Sequence, residues 1–198
     1  MLLSIVGTTA MATEQTSFVL VSRADGIEVR DYPAYLVAET VVAGDQAKAG
    51  STAFGVLAGY IFGGNGGSRK IAMTAPVTQV RGEALAMTSP VTQLAGDAGT
   101  WRVQFTMPAG WTLETLPRPN DARVKLLEVP ARRVAAVRYS GTWSQANYDE
   151  HLAVLTAAMA KQGLVGVGAP VWARYDAPWT PWFLRTNEIL VELTPSDR

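Results

Sequence analysis

The chain has no cysteine and a single histidine, His151. The first absence excludes disulfides, thiolate metal sites and cysteine nucleophiles, and leaves the compartment open. The second excludes a multi-histidine metal centre within one chain, and any serine–histidine–aspartate mechanism would have to use His151. An excess of charge of one sign is also missing: 17 Lys and Arg face 17 Asp and Glu. A nucleic-acid binder needs a basic surface to meet phosphates, so the balance argues against that class. After the first dozen residues no run is long and apolar enough to span a bilayer as a helix.

What is present describes a folded chain. With 198 residues, 48% of them hydrophobic and 17% charged, it can bury a core as one domain or as two small halves sharing one. Residues 1–12 are apolar and end in Ala10-Met11-Ala12, which looks like the small-residue cleavage site of an exported protein, although no Lys or Arg precedes the run. Residues 1–17 read as a leader or signal-peptide remnant, exported if so and cytoplasmic otherwise, and residues 18–198 as a single domain.

The chain is organised around residues 72–94. The phrase Ala72-Met73-Thr74-Ala75-Pro76-Val77-Thr78-Gln79-Val80 returns as Ala86-Met87-Thr88-Ser89-Pro90-Val91-Thr92-Gln93-Leu94. Val, Thr and Met suit a pleated surface, so the repeat predicts two strands joined as a hairpin at Gly82. Pro76 and Pro90 cannot donate to a ladder and belong at bulges, edges or strand ends.

Other elements follow from periodicity. Residues 18–21 and 27–32 predict a strand pair around Asp25-Gly26, and 34–42 a further strand. A helix opens at Gly44-Asp45, with Phe54, Leu57, Tyr60 and Ile61 as its apolar face and Gly55, Ala58 and Gly59 around it. The run Gly63-Gly64-Asn65-Gly66-Gly67 ends that helix in a mobile loop; it follows a helix and has no Lys-Ser/Thr, so it is not a phosphate loop. Residues 101–107 alternate with Trp101, Val103, Phe105 and Met107 inward, and 108–121 wrap the surface. Residues 124–129 and 132–140 predict strands, 147–162 a second helix striped by Tyr148, Leu152, Leu155 and Met159, and 171–175 and 187–193 the last strands. The order strands–helix–strands occurs twice, which suggests a duplicated unit about a pseudo-twofold axis and an α+β fold.

Candidate chemistry concentrates in two places. The connector Trp179-Thr180-Pro181-Trp182-Phe183 sets three aromatics among prolines, either as a lid on the core or as the wall of a flat apolar pocket. The helix face Phe54/Leu57/Ile61 has the same two readings, its small neighbours allowing a flat ligand near the backbone. His151 reads as solvated or half-buried, and Glu188 as pairing with a basic neighbour such as Arg185.

These residues carry a resemblance. Residues 71–77, Ile-Ala-Met-Thr-Ala-Pro-Val, and 175–188, Tyr-Asp-Ala-Pro-Trp-Thr-Pro-Trp-Phe-Leu-Arg-Thr-Asn-Glu, resemble signatures of the SOUL haem-binding family, as do residues 27–35 and Tyr139-Ser140-Gly141. The likeness spans residues 18–193. It implies a distorted antiparallel β-barrel flanked by two helices and built from a repeated half. It implies a ligand, haem or another tetrapyrrole, held in an apolar cleft between the first helix and the loop before the last strand. Carried over, the binding residues are Phe54, Leu57, Ala58, Ile61 and Met73, with Trp179, Thr180, Pro181, Trp182, Phe183 and Arg185. Relatives place basic residues on the helix and loop for the propionates; here the helix is nearly uncharged after Lys48, the loop has Thr180, and Arg185, Lys70 and Arg69 remain nearby. The family reading is a non-enzymatic carrier or buffer, with a tetrapyrrole-modifying enzyme (metal removal or ring oxidation) and a small-molecule-sensing or interaction domain as alternatives.

Overall fold

The computed structural model describes residues 14–44, 46–81, 99–176 and 179–194. The strands are β1 (Glu14–Gln15), β2 (Val19–Ala24), β3 (Ile27–Tyr32), β4 (Tyr35–Ala43), β5 (Thr74–Ala75), β6 (Val77–Arg81), β7 (Thr100–Thr106), β8 (Lys125–Val129), β9 (Arg132–Tyr139), β10 (Gly166–Arg174) and β11 (Asn187–Leu193). Two helices, α1 (Gln46–Ile61) and α2 (Gln145–Lys161), and a 3-10 turn, Trp182–Leu184, complete the order among the described residues.

Nine strands form one antiparallel sheet in the order β2-β3-β9-β11-β10-β6-β7-β4-β8, and β1 pairs separately with β5. The expected barrel is not seen, because among the described residues the sheet does not close. Its two ends are poor partners for each other. All six residues of β2 are exposed around a bulge between Leu20 and Ser22, and β8 carries Lys125 and Glu128 and runs into Pro130. The order reads alike in both directions from the β6–β10 contact. Each half contributes a strand, a helix and two returning strands, β4-α1-β6-β7 in one and β9-α2-β10-β11 in the other, so the duplicated order seen in the sequence is the order of the sheet.

Both helices cover one face. Arg174 of β10 pairs with Val77 of β6, which pairs with Phe105 of β7, and cross-strand partners share a face. Phe105 lies in the core under α1 with Leu57, Ile61 and Val103, whereas Trp172, two residues from Arg174, lies in the core under α2 with Tyr148, Leu155 and Ile189. Trp101 and Trp172, 5.8 Å apart, join the two cores across the seam. The other face has its own cluster around Tyr32, Val134, Ala136 and Leu190.

Several local expectations are met. Trp101, Val103, Phe105 and Met107 all point inward and are buried. α2 begins two residues earlier than its stripe implied, because Ser144 caps it, its side chain accepting from the Asn147 amide. Pro76 separates β5 from β6, a strand end as expected. The second copy of the repeat, residues 86–94, lies outside the described residues; β6 pairs with β7 and β10. β10 starts five residues before the expected strand, its early part disguised by Gly166, Gly168 and Pro170 and by a bulge between Val167 and Val171.

The glycine run after α1 is pinned, not mobile. Asn65 is buried, its Nδ2 donating to the carbonyls of Tyr60 and Arg69 at 2.8 Å each, and its Oδ1 accepting from the Arg69 amide. The Gly64 amide donates to Gly59 O at 2.8 Å, and a Cβ on Gly64 would stand 2.6 Å from that same oxygen. Gly64→Ala is therefore expected to cost about 1–3 kcal/mol in urea unfolding. Gly55→Ala, which meets nothing within 4 Å inside α1, should instead stabilise by about 0.5–1 kcal/mol. Equal effects at the two positions would contradict this account of the turn.

Candidate functional site

Between the helices, over the β6–β10 seam, lies a groove of about 250 Å³. α1 gives Gly50, Ser51 and Phe54; the sheet gives Val77, Gln79, Val103 and Arg174; Trp143, before α2, and Asp176, after β10, close it. Phe54 is braced edge-on by Phe105 at 5.4 Å. Trp143 is fixed by Nε1 donating to the buried Asn187 Oδ1 at 2.8 Å. The walls are thus mostly apolar and firmly held.

The exception is Arg174. Strand alternation turns it to the same face as Trp172, into the groove. Its guanidinium lies 4.7 Å from the Trp143 ring centre and 5.9 Å from that of Trp172. Among the described residues it has no carboxylate and no hydrogen-bond partner. Gly50 makes room for it: a Cβ there would stand 3.2 Å from Arg174 Nη1. Arg185 covers Trp143 as well, at 4.1 Å. Burial pulls the Arg174 pKa down to about 10, with Tyr139 opposing the fall and the Arg185 charge adding to it. The group remains a cation at neutral pH. Asp176 is engaged with backbone, its Oδ2 accepting from the Thr186 amide at 2.5 Å.

The loop before β11 stands beside this groove. Trp182 O accepts from the Gly141 amide, Pro181 O from Leu184, and Thr180 O from Arg185 Nε at 2.8 Å.

A family model, SOUL heme-binding protein, matches residues 13–192. The chain belongs to the SOUL family. No curated protein matches it at a significant level. Among solved structures, the C-terminal domain of EcmrR is similar with a TM-score of 0.62 at 11% identity, over 85% of this chain and 96% of that one. An uncharacterized conserved protein from Listeria innocua gives 0.60 at 13% identity, over 86% and 93%. A hydrolase from the same organism gives 0.58 at 13% identity, over 88% and 94%. At these identities the likeness is one of fold.

The SOUL-family residues named from the sequence fall into three groups. Phe54 lines the groove. Leu57, Ala58 and Ile61 are buried in the core between α1 and the sheet, where each large one contributes about 1.5–3 kcal/mol. Met73 is exposed at 37%, and Trp179, Pro181, Trp182 and Phe183 are exposed on the loop, with Thr180 and Arg185 half-buried. Trp143 and Arg174 were not anticipated. The signal for Arg174 was available: in Val171-Trp172-Ala173-Arg174 a lone cation shares the alternating face of a tryptophan.

Of two other expectations, the one for His151 is met and the one for Glu188 is not. His151 stacks on Tyr139 at 4.3 Å and its Nδ1 contacts Asn147 O at 2.7 Å, half-buried on α2 and away from the groove lining. Glu188 does not pair with Arg185. It points to the opposite face of the sheet, because β11 alternates, and is completely buried. There it takes two 2.8 Å hydrogen bonds from Arg30, one of 3.0 Å from Arg138 and one of 2.6 Å from the Tyr175 hydroxyl.

Proposed function

We propose that the protein binds haem or a related tetrapyrrole reversibly, as a carrier or buffer, with one edge of the macrocycle in the groove and a carboxylate directed at Arg174. The observation that carries this reading is a half-buried guanidinium with no carboxylate partner among the described residues, set among apolar walls. A partly desolvated, unpaired charge is costly, and a carboxylate-bearing ligand relieves that cost on entering. The walls Phe54, Val77, Val103 and Trp143 suit a flat apolar edge. Their groove of about 250 Å³ is smaller than the roughly 300–1,000 Å³ common for ligand pockets. Part of a tetrapyrrole would therefore rest outside it, against the neighbouring loop with Trp179, Trp182 and Phe183. Affinity then comes from apolar contact and one charge pair, with no protein ligand needed on the metal.

A haem titration followed by the Soret band and tryptophan fluorescence tests this. The expected result is a saturable change at one ligand per chain, weakened about tenfold in Trp143→Ala and in Trp182→Ala. A non-saturating change identical in the variants would overturn the groove. Loss of the bound tetrapyrrole's spectrum on adding a reductant would turn the reading towards an enzyme.

A further inference from the structure

Four large apolar side chains stand in solvent within six consecutive residues of the loop before β11. Trp179 is 85% exposed, and Trp182, Phe183 and Leu184 are each more than half exposed. The loop is not loose. A 3-10 turn and a backbone hydrogen bond from the Gly141 amide to Trp182 O hold it, and Asp176 anchors its base at Thr186. Ordered backbone with apolar groups held outward marks a contact surface, since a monomer gains nothing from exposing them.

The two segments that build the tip carry charge of one sign, although the whole chain is neutral. Neither residues 138–148 nor residues 177–187 contain Asp or Glu, and the Gly141–Trp182 hydrogen bond brings those two segments together. Arg174 and Arg185 lie just behind, 4.7 and 4.1 Å from the Trp143 ring centre. A protruding tip of tryptophan, phenylalanine and leucine backed by guanidinium groups has the composition of a membrane-interface anchor. The rings enter the headgroup–acyl boundary, and the positive charge behind them attracts anionic headgroups at a distance. A bilayer also needs no complementary pocket for side chains that project this far.

We infer that this loop docks the protein on the surface of membranes that contain anionic lipids, Trp179, Trp182, Phe183 and Leu184 entering the interface. The inference goes beyond tetrapyrrole binding and is testable without it. It places the mouth of the groove next to the phase in which an apolar macrocycle dissolves.

The test uses the full chain, free of haem, with phosphatidylcholine vesicles with and without phosphatidylglycerol. At low salt the protein should sediment with the anionic vesicles, its tryptophan emission should shift to the blue, and brominated acyl chains should quench it. Added salt should weaken binding. The double variant Trp179→Ser/Trp182→Ser should lose about tenfold or more in partitioning. Should that variant fail to fold by circular dichroism, quenching of the wild-type protein decides. Absence of quenching with the protein left in the supernatant would overturn the inference. So would a lipid-free blue shift that grows with protein concentration, which would put a second copy of the chain on the loop. Haem titration of the same preparation reports separately on the groove.

Discussion

Glu188→Ala is expected to remove about 3–5 kcal/mol of folding stability, the range for breaking one partner of a buried ion pair. The carboxylate is completely buried, and the substitution leaves Arg30, equally buried, facing a void in place of its bidentate partner. Arg30 retains Glu28 at 2.7 Å, a contact with the Tyr32 hydroxyl at 3.2 Å and the Phe18 ring at 4.3 Å. None of these replaces a bidentate carboxylate. Urea unfolding measures the loss, and a cost below about 1 kcal/mol would show that the pair is dispensable. The double variant Arg30→Met/Glu188→Leu should recover most of the stability, because neither ion is then desolvated. A pH dependence follows. Burial alone would raise the Glu188 pKa, but the hydrogen bonds from Arg30 and Tyr175 and the Arg30 charge outweigh it, so the folded value lies below the usual carboxylate range. The unfolded chain therefore binds this proton more readily. The stabilisation is full above the unfolded value of about 4.3 and is lost as pH falls through the folded one. Glu188→Gln should flatten the acid limb of the stability profile.

Arg174→Met is expected to move two quantities in opposite directions. Without ligand, removing an unpaired, half-buried cation should stabilise the fold by up to about 1 kcal/mol, reduced by the two ring contacts it gives up. With ligand, the loss of a charge-assisted hydrogen bond should weaken porphyrin binding about ten- to a hundredfold. Protoporphyrin dimethyl ester, with no free carboxylate, should bind both proteins alike. A variant that destabilises the empty protein, or weakens acid and ester equally, would remove Arg174 from the role of anion anchor.

Much of the fold was legible because periodicity records burial. The alternation of residues 101–107 and the stripes of both helices are one-dimensional traces of a single apolar face. The duplicated order was legible for the same reason. What escaped depends on pairing between distant segments. Glu188 has Arg185 three residues away in sequence, yet strand alternation turns it to the opposite face, where Arg30 waits 158 residues earlier. Leu57 and Ile61 looked like one wall of a cleft because helical spacing cannot distinguish a core from a groove. Phe54 alone of that set reaches the groove. Trp143 lay in a short polar connector with no pattern to mark it. The openness of the sheet was hidden as well, since closure depends on how two edge strands meet.

The β6–β10 seam bears on the order of folding. Val77 and Arg174 face each other across it but are about a hundred residues apart, so their pairing carries a large loop-closure entropy and comes late. Within each half, a strand, its helix and the returning strands are closer in sequence and can condense first. The groove exists only after the halves have joined. A ligand that enters it is expected to bind contacts made after the folding transition state. Ligand should therefore lengthen the lifetime of the folded chain and leave its folding rate almost unchanged.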